Sequence, residues 1–298
     1  MEIITSRKAM RVLTSDLKSK GRKIGFVPTM GALHEGHLSL VHKARAENDV
    51  VVVSIFVNPT QFCPNEDFAK YPRDLGADQA LLTPFVDYLF YPSVAEMYGE
   101  SHEEFVVGSS SGNATGNFLS FAVGDLGKCL CGLSRPQHFE GVALVLSKLL
   151  NIIQPDRVYM GQKDFQQTVV VKHLIEELFF ETELVVCPTI REENGLAMSS
   201  RNVYLTAEER EKAAFIYRAL QQGKKLVESG QKDPKKIIAG VKVFLSEHGF
   251  DKIDYVDLRK GSSLQEVLEV ESEKNGKIVL ALAVFLGKTR LIDNLLIF

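Results

Sequence analysis

The sequence predicts an α/β fold: a Rossmann-like, doubly wound parallel sheet followed by a smaller α+β domain. Three observations carry this. Strand-like and helix-like stretches alternate between residues 23 and 187, with glycine-bearing turns between them. The run 49–57, DVVVVSIFV, is almost wholly apolar and β-branched, as suits a parallel strand covered on both faces. After residue 206 the composition turns charged and amphipathic, then closes in strand-like runs. A length of 298 residues accommodates two modest domains, and an apolar content of 45% supplies their cores. The expected division is a catalytic domain at 1–188 and a lid domain at 189–298.

Residues 6–20 suit a short amphipathic helix with Met10, Leu13 and Leu17 on one side. Residues 23–27 form the first expected strand. Residues 34–48 form the first long helix, with Leu38, Val41 and Ala44 at helical spacing, and 49–57 the second strand. This completes a βαβ unit, whose crossover is right-handed. Residues 66–82 read as helix, broken or restarted at Pro72, and 86–91 as a third strand. The segment 109–117, SSSGNATGN, is a polar loop. Its glycines lack the lysine, hydroxyl residue and helix of a P-loop. Ser134, Arg135 and Pro136 introduce a helix to about Ile153, and 157–160 is a fourth strand that runs into a further helix from Gly161. A fifth strand covers 183–187. Residues 206–248 read as charged amphipathic helix, capped at Thr206 and broken near 230–234. Strands are expected at 254–258, 277–285 and 289–298, with a hairpin turn at Gly287 and Lys288.

The stretch from Gly25 to His37, GFVPTMGALHEGH, reads as a strand, a Pro/Gly turn and a helix opening on two histidines. Free N–H groups and the positive end of the helix dipole then face an anion. His34 and His37 lie three apart and share a helix face. By residue type alone, an ordinary βα turn with two surface histidines is the favoured reading of this stretch. Asn58 to Phe62, NPTQF, follows the second strand, and Gln61 suits a substrate carboxylate or hydroxyl because it both donates and accepts. In GQKDFQQ, residues 161–167, Lys163 offers a point charge to a phosphate, with Gln167 four residues on along the expected helix. AMSSRN, residues 197–202, places two hydroxyls and an arginine together, as a phosphate clamp or as a helix cap with a surface arginine. All four loops fall at the carboxyl edge of the expected sheet, where open parallel sheets bind ligands. Imidazoles, a lysine, an arginine, hydroxyls and amides suit a polyphosphate and a small polar acid. They imply phosphoryl or nucleotidyl transfer by positioning and charge stabilisation.

Lys+Arg total 35 and Asp+Glu 38, a formal charge of −3, which argues against a nucleic-acid partner. Four cysteines, with no C-x-x-C pair, argue for free thiols in a reducing compartment rather than a zinc site. There is no signal-peptide core near the start and no apolar run of membrane length, so the expected location is cytoplasmic, without a membrane partner.

Taken together, PTMGALHEGH (28–37), SIFVNPTQF (54–62), YPRD (71–74), SRPQHFEGV (134–142), GQKDFQQ (161–167), REENGLAMSSRN (191–202) and RLIDN (290–294) resemble the pantothenate synthetases, or pantoate–β-alanine ligases. HEGH resembles the HIGH signature of the wider nucleotidyltransferase superfamily, and MSSR a shortened KMSKS. The resemblance implies that pantoate attacks the α-phosphate of ATP, and that β-alanine then displaces AMP from the pantoyl adenylate, with Mg²⁺ accompanying the ATP. It implies an ATP site of Met30, Gly31, Ala32, Leu33, His34, Glu35, Gly36, His37, Gly161, Gln162, Lys163, Asp164, Ile190, Met198, Ser199, Ser200 and Arg201. His37, His34 and Lys163 are the expected catalytic residues, with His37 the family's proton donor; on physical grounds the imidazoles need only stabilise charge. Gln61 is expected to hold pantoate and then β-alanine, Gln167 to hold pantoate, and Asp78 to help with the metal. Asn58 and Arg135 are weaker candidates.

Two departures stand out: Gln162 replaces the usual Glu, and 105–121 exceeds the usual bacterial length and resembles an insertion in plant members. Family members dimerise, and that segment is a candidate for the interface. Two other readings of HEGH are an adenylyltransferase whose product keeps the nucleotide, which would release no AMP, and an RNA-binding relative of synthetases, which would need a basic stripe.

Overall fold

The computed structural model describes residues 1–64, 66–99, 120–271 and 276–298. The segment 105–121, with its loop 109–117, lies outside these apart from residues 120 and 121. In chain order the elements are β1 (Glu2–Ile4), α1 (Arg7–Ser19), β2 (Ile24–Thr29), α2 (Glu35–Glu47), β3 (Val50–Ile55), α3 (Leu75–Leu82), β4 (Tyr88–Phe90), α4 (Val94–Tyr98), α5 (Cys131–Ser134), α6 (His138–Ile153), β5 (Arg157–Gly161), α7 (Phe165–Glu177), β6 (Glu183–Cys187), α8 (Ala207–Glu228), α9 (Pro234–Glu247), β7 (Lys252–Lys260), β8 (Ile278–Leu286) and β9 (Thr289–Ile297). They group into two compact units. The first comprises Met1–Gly127, Arg135–Gly161 and Val170–Cys187; the second comprises Lys128–Ser134, Gln162–Val169 and Pro188–Phe298.

The first unit is built on a six-stranded sheet of order β1-β4-β3-β2-β5-β6, every pairing parallel. Alternate strand residues face opposite ways. Ile24, Phe26, Val50 and Val52 pack with Met10 of α1, Leu146 and Leu149 of α6 and Val171 of α7. Val27, Val51, Val53 and Ile55 pack with Leu38 and Val41 of α2 and Leu82 of α3. β3 is buried at all six positions, because helices cover both of its faces. The doubly wound expectation therefore holds.

Some boundaries differ from those read off the sequence. β1 is too short and too exposed to carry a periodic signal. The expected helix at 66–82 is a 3₁₀ turn, Phe68–Lys70, then α3, whose N-cap Asp74 accepts the Ala77 N–H at 3.0 Å. The strand expected at 86–91 shortens to Tyr88–Phe90, since the Phe85 and Val86 N–H groups turn back to the Leu82 carbonyl.

The sheet opens at its carboxyl edge between β2 and β5, the point where strand order reverses. The Ile24 carbonyl accepts from Asp156 N–H on the β5 side, and the Thr29 carbonyl from Phe56 N–H on the β3 side. Even-numbered residues of β2 therefore point their backbone groups at β5, and residue 28 is a proline with no N–H to give. Pairing of β2 with β5 ends at Phe26–Val158. Pairing of β2 with β3 continues to Thr29–Ile55, and that of β5 with β6 to Gly161–Cys187. The two strands part beyond Phe26, and this opens the crevice in which such folds bind ligands.

The second unit carries an antiparallel sheet, β7-β8-β9. β8 and β9 pair from Leu286–Thr289 outward around a two-residue turn at Gly287 and Lys288, as expected. One face is covered by Ile216 and Leu220 of α8 and Val241 and Leu245 of α9, against Leu280, Leu282 and Val284. Thr206 and Glu209 close a reciprocal capping box at the start of α8.

Candidate functional site

The HEGH turn follows β2. His34 stands outside α2 as its N-cap, in extended backbone, and its Nδ1 accepts the Gly36 N–H at 3.1 Å. The neutral ring therefore carries its proton on Nε2. His37 falls in the first turn of α2, and the two ring centroids lie 4.1 Å apart. The imidazoles meet as the spacing suggests, with the difference that the first is a cap rather than a helix residue.

The expectation of open N–H groups around this turn is corrected. Gly31 N–H donates to Thr29 Oγ1 at 3.1 Å, and Ala32 and Leu33 N–H donate to the two Asp78 oxygens at 3.0 and 2.8 Å. A carboxylate of the chain itself occupies the Ala32 and Leu33 amides. Asp78 is 4% exposed, and burial pushes its carboxyl above the usual range. Both oxygens of this residue, expected from the sequence to help with the metal, are thus engaged with backbone amides. A cavity of about 600 Å³ opens beside this turn, lined by Met30, Gly31, Phe56, Arg73, Asp78, Tyr91 and Glu96 among others.

Gln61 sits in the 3₁₀ turn Pro59–Gln61 after β3 and is held from all sides. Asn58 Nδ2 donates to Gln61 Oε1 at 3.0 Å, which turns Gln61 Nε2 toward Met30 Sδ, also at 3.0 Å. Asn58 is fully buried, and its Oδ1 accepts from the Tyr98 hydroxyl at 2.7 Å. Arg135 makes a two-bond pair with Glu66, at 2.6 and 2.8 Å, and donates to His138 Nε2 at 3.0 Å. The His138 proton is thereby placed on Nδ1, which donates to the Gln61 carbonyl at 2.6 Å. Asn58 and Arg135, weak binding candidates in the sequence, fix the side chain and backbone of Gln61.

In the second unit, Gln162, Lys163 and Asp164 form a 3₁₀ turn, and α7 begins only at Phe165. Lys163 and Gln167 therefore do not share an α-helical face, contrary to the expectation. Gln167 lies half-buried in the first turn of α7. Its neighbour Gln166 is buried and bonds Cys131 N–H and the Cys129 carbonyl, both at 2.9 Å. Lys163 pairs with Asp164 at 3.8 Å.

Ile190 to Met198 fold as a small hairpin: the Met198 N–H donates to the Ile190 carbonyl at 3.0 Å, and Arg191 bridges Ala197. Ser199 caps the next 3₁₀ turn, Ser200–Tyr204, by accepting the Arg201 N–H. The capping alternative for this motif is thus observed for Ser199.

The dipeptide Asp293-Asn294 of β9 grips both of these loops, a role the sequence reading left out. Asp293 is 3% exposed and binds Arg191 through both oxygens, at 2.6 and 3.0 Å. Burial pushes the Asp293 carboxyl up, and the guanidinium pulls against that shift. Arg191 also stacks over the Tyr217 ring at 3.6 Å. Asn294 Nδ2 donates to the Gln162 and Lys163 carbonyls, each at 2.9 Å, and Gln162 Nε2 donates to Asn294 Oδ1 at 3.3 Å. Gln162 thus has a structural partner that uses its amide. Asn294→Ala leaves the Gln162 and Lys163 carbonyls without this donor and is expected to lower stability by about 1–3 kcal/mol. Denaturant melts check this.

Two further residues hold Asn58 and through it Gln61: the Gly141 carbonyl and the Tyr98 hydroxyl. Gly141 lies inside α6, where a glycine calls for a packing reason. Tyr98 lies on a helix too short to show a pattern in the sequence. Among the described residues, no helix is long and apolar enough to cross a membrane, and no three His, Cys, Asp or Glu side chains group as a metal site. The four cysteines are buried and form no disulfide.

The family model described as Pantoate-beta-alanine ligase matches residues 2–296. The pantothenate synthetase of Fervidobacterium nodosum is 48% identical over 298 residues, covering 100% of this chain and 99% of that protein. The crystal structure of pantothenate synthetase from Thermus thermophilus matches with a TM-score of 0.86 at 38% identity, covering 99% of each chain. The pantoate-beta-alanine ligase of Francisella tularensis, crystallised with beta-gamma ATP and beta-alanine, matches with a TM-score of 0.76 at 38% identity, over 99% of this chain and 97% of that one.

Proposed function

Because this chain belongs to the pantoate–β-alanine ligase family, we propose that it condenses pantoate with β-alanine at the expense of ATP, forming pantothenate, AMP and pyrophosphate. A pantoate carboxylate oxygen attacks the α-phosphorus, and the bond to pyrophosphate breaks. The neutral amine of β-alanine then attacks the acyl carbon, AMP leaves with the bonding pair, and the nitrogen loses a proton.

The observation that carries the site assignment is the imidazole pair of His34 and His37, 4.1 Å apart at the start of α2, after a strand whose neighbour has parted from it. His37 and His34 stabilise charge on the transferring phosphate, and Lys163 supports the polyphosphate. Met30 to His37 and Gly161 to Asp164 hold ATP, with Ile190 and Met198 to Arg201. Gln61 holds pantoate and then β-alanine through Nε2, the end of its amide that Asn58 leaves toward Met30. Gln167 holds pantoate. Mg²⁺ would accompany ATP and neutralise charge on its phosphates. We further propose a homodimer, and a cytoplasmic location consistent with four cysteines outside any disulfide.

The test is an AMP assay with ATP, Mg²⁺ and pantoate, with and without β-alanine. AMP release that requires both pantoate and β-alanine is expected. Pyrophosphate release with no AMP, even with β-alanine present, would instead favour an adenylyltransferase whose product keeps the nucleotide.

A further inference from the structure

Asp78 belongs to α3 yet spends both oxygens on the βα turn after β2, 45 and 46 residues away in sequence. That turn runs through two consecutive residues of positive φ, Gly31 at 81° and Ala32 at 51°. For alanine this left-handed backbone is disfavoured, because its Cβ crowds the following carbonyl. It persists only where the surroundings hold it. The surroundings here are the carboxylate: it accepts the N–H of Ala32 and of Leu33, and a Cβ on residue 31 would come within 2.9 Å of its Oδ2. On either side of the turn stand Met30, touching Gln61 Nε2, and His34, the cap of α2.

We propose that Asp78 is a positioning residue for adenylation: its carboxylate stands in for an external anion at the Ala32 and Leu33 amides and holds the turn left-handed, which sets where Met30, His34 and His37 stand. The proposal rests on the reading that residues 30–37 bind ATP. It assigns Asp78 to the backbone rather than to a metal.

The experiment compares wild type, Asp78→Asn, Asp78→Asn combined with Ala32→Gly, and Gly31→Ala. Asparagine keeps one acceptor and turns an N–H₂ on the other amide, donor against donor. Three quantities are read: amide hydrogen exchange at residues 32 and 33, kcat/KM for ATP in pantoate-dependent pyrophosphate release, and the Mg²⁺ dependence of that rate. In Asp78→Asn, exchange at both amides is expected to rise at least about tenfold and kcat/KM to fall about a hundredfold, the scale of an ångström-sized misplacement. Ala32→Gly, which adopts positive φ without a Cβ clash, is expected to restore about a tenfold share of that loss. Gly31→Ala leaves every carboxylate in place and is expected to show the same faster exchange and lower kcat/KM, so the proposal stays testable if Asp78→Asn does not fold.

Unchanged exchange in Asp78→Asn would overturn the proposal, as would absence of recovery in the double variant. Recovery of Asp78→Asn at raised Mg²⁺ would overturn it in favour of a metal ligand. Tighter ATP binding in Asp78→Asn would overturn it in favour of a carboxylate that competes with phosphate. If the wild type fails to turn over, the ATP reading falls, while the exchange measurement still decides the role of Asp78.

Discussion

Replacing His37 with alanine is expected to lower the rate of pyrophosphate release from ATP and pantoate by about a hundredfold to a thousandfold, the usual cost of one preorganised donor at a developing charge. The fold is expected to persist. Alanine is the best helix former, and His37 lies within the first turn of α2, behind the His34 cap. His34→Ala provides the contrast. It removes a ring and also the Nδ1 acceptor that caps Gly36 N–H, so it is expected to lose about 1 kcal/mol of stability together with activity. Denaturant melts and steady-state kinetics on the two variants separate chemistry from capping. Near-normal turnover of His37→Ala at saturating ATP and pantoate would remove His37 from the mechanism.

The second large effect is expected from adding one methyl group. A Cβ on Gly141 would lie 2.2 Å from the Thr60 carbonyl oxygen and 2.7 Å from the Gln61 nitrogen. Both are backbone atoms of the turn that presents Gln61, so α6 or the turn has to move. Helix propensity alone would reward the substitution by about 1 kcal/mol. Overpacking is expected to outweigh it, with a net loss of about 1–3 kcal/mol. Displacement of Gln61 is expected to lower kcat/KM for pantoate about a hundredfold. Gly240→Ala in α9 is the control, because its Cβ would meet only the tip of Leu226, at 2.7 Å, which can rotate aside. It is expected to be close to neutral. Equal behaviour of the two variants in thermal melts and pantoate kinetics would refute the packing argument.

The strongest local signals in the sequence match the structure. The unbroken apolar run of β3 is buried on both faces. The Thr206 cap starts α8, and Gly287-Lys288 turns the β8–β9 hairpin. Weak or short signals misled: β1 carries three residues, and β4 was read too long because Val86 still belongs to the turn after α3. Nothing in composition marks 128–134 or 162–169 as belonging with the second unit.

What the sequence determined by itself were the features that residues close along the chain decide among themselves: the alternation of strand and helix, the caps, the place of HEGH and NPTQF behind their strands, and the set of chemical groups on offer. What tertiary structure decided was the partner of each group. Asp78 meets amides 45 and 46 residues back, His138 meets a carbonyl 77 residues back, and Asn294 meets carbonyls 131 and 132 residues back. The physical reason is one of range. Propensity, periodicity and capping act over a turn or two of chain. A hydrogen bond closed over such a span exists only because packing of the sheet and its helices has already brought the two groups together.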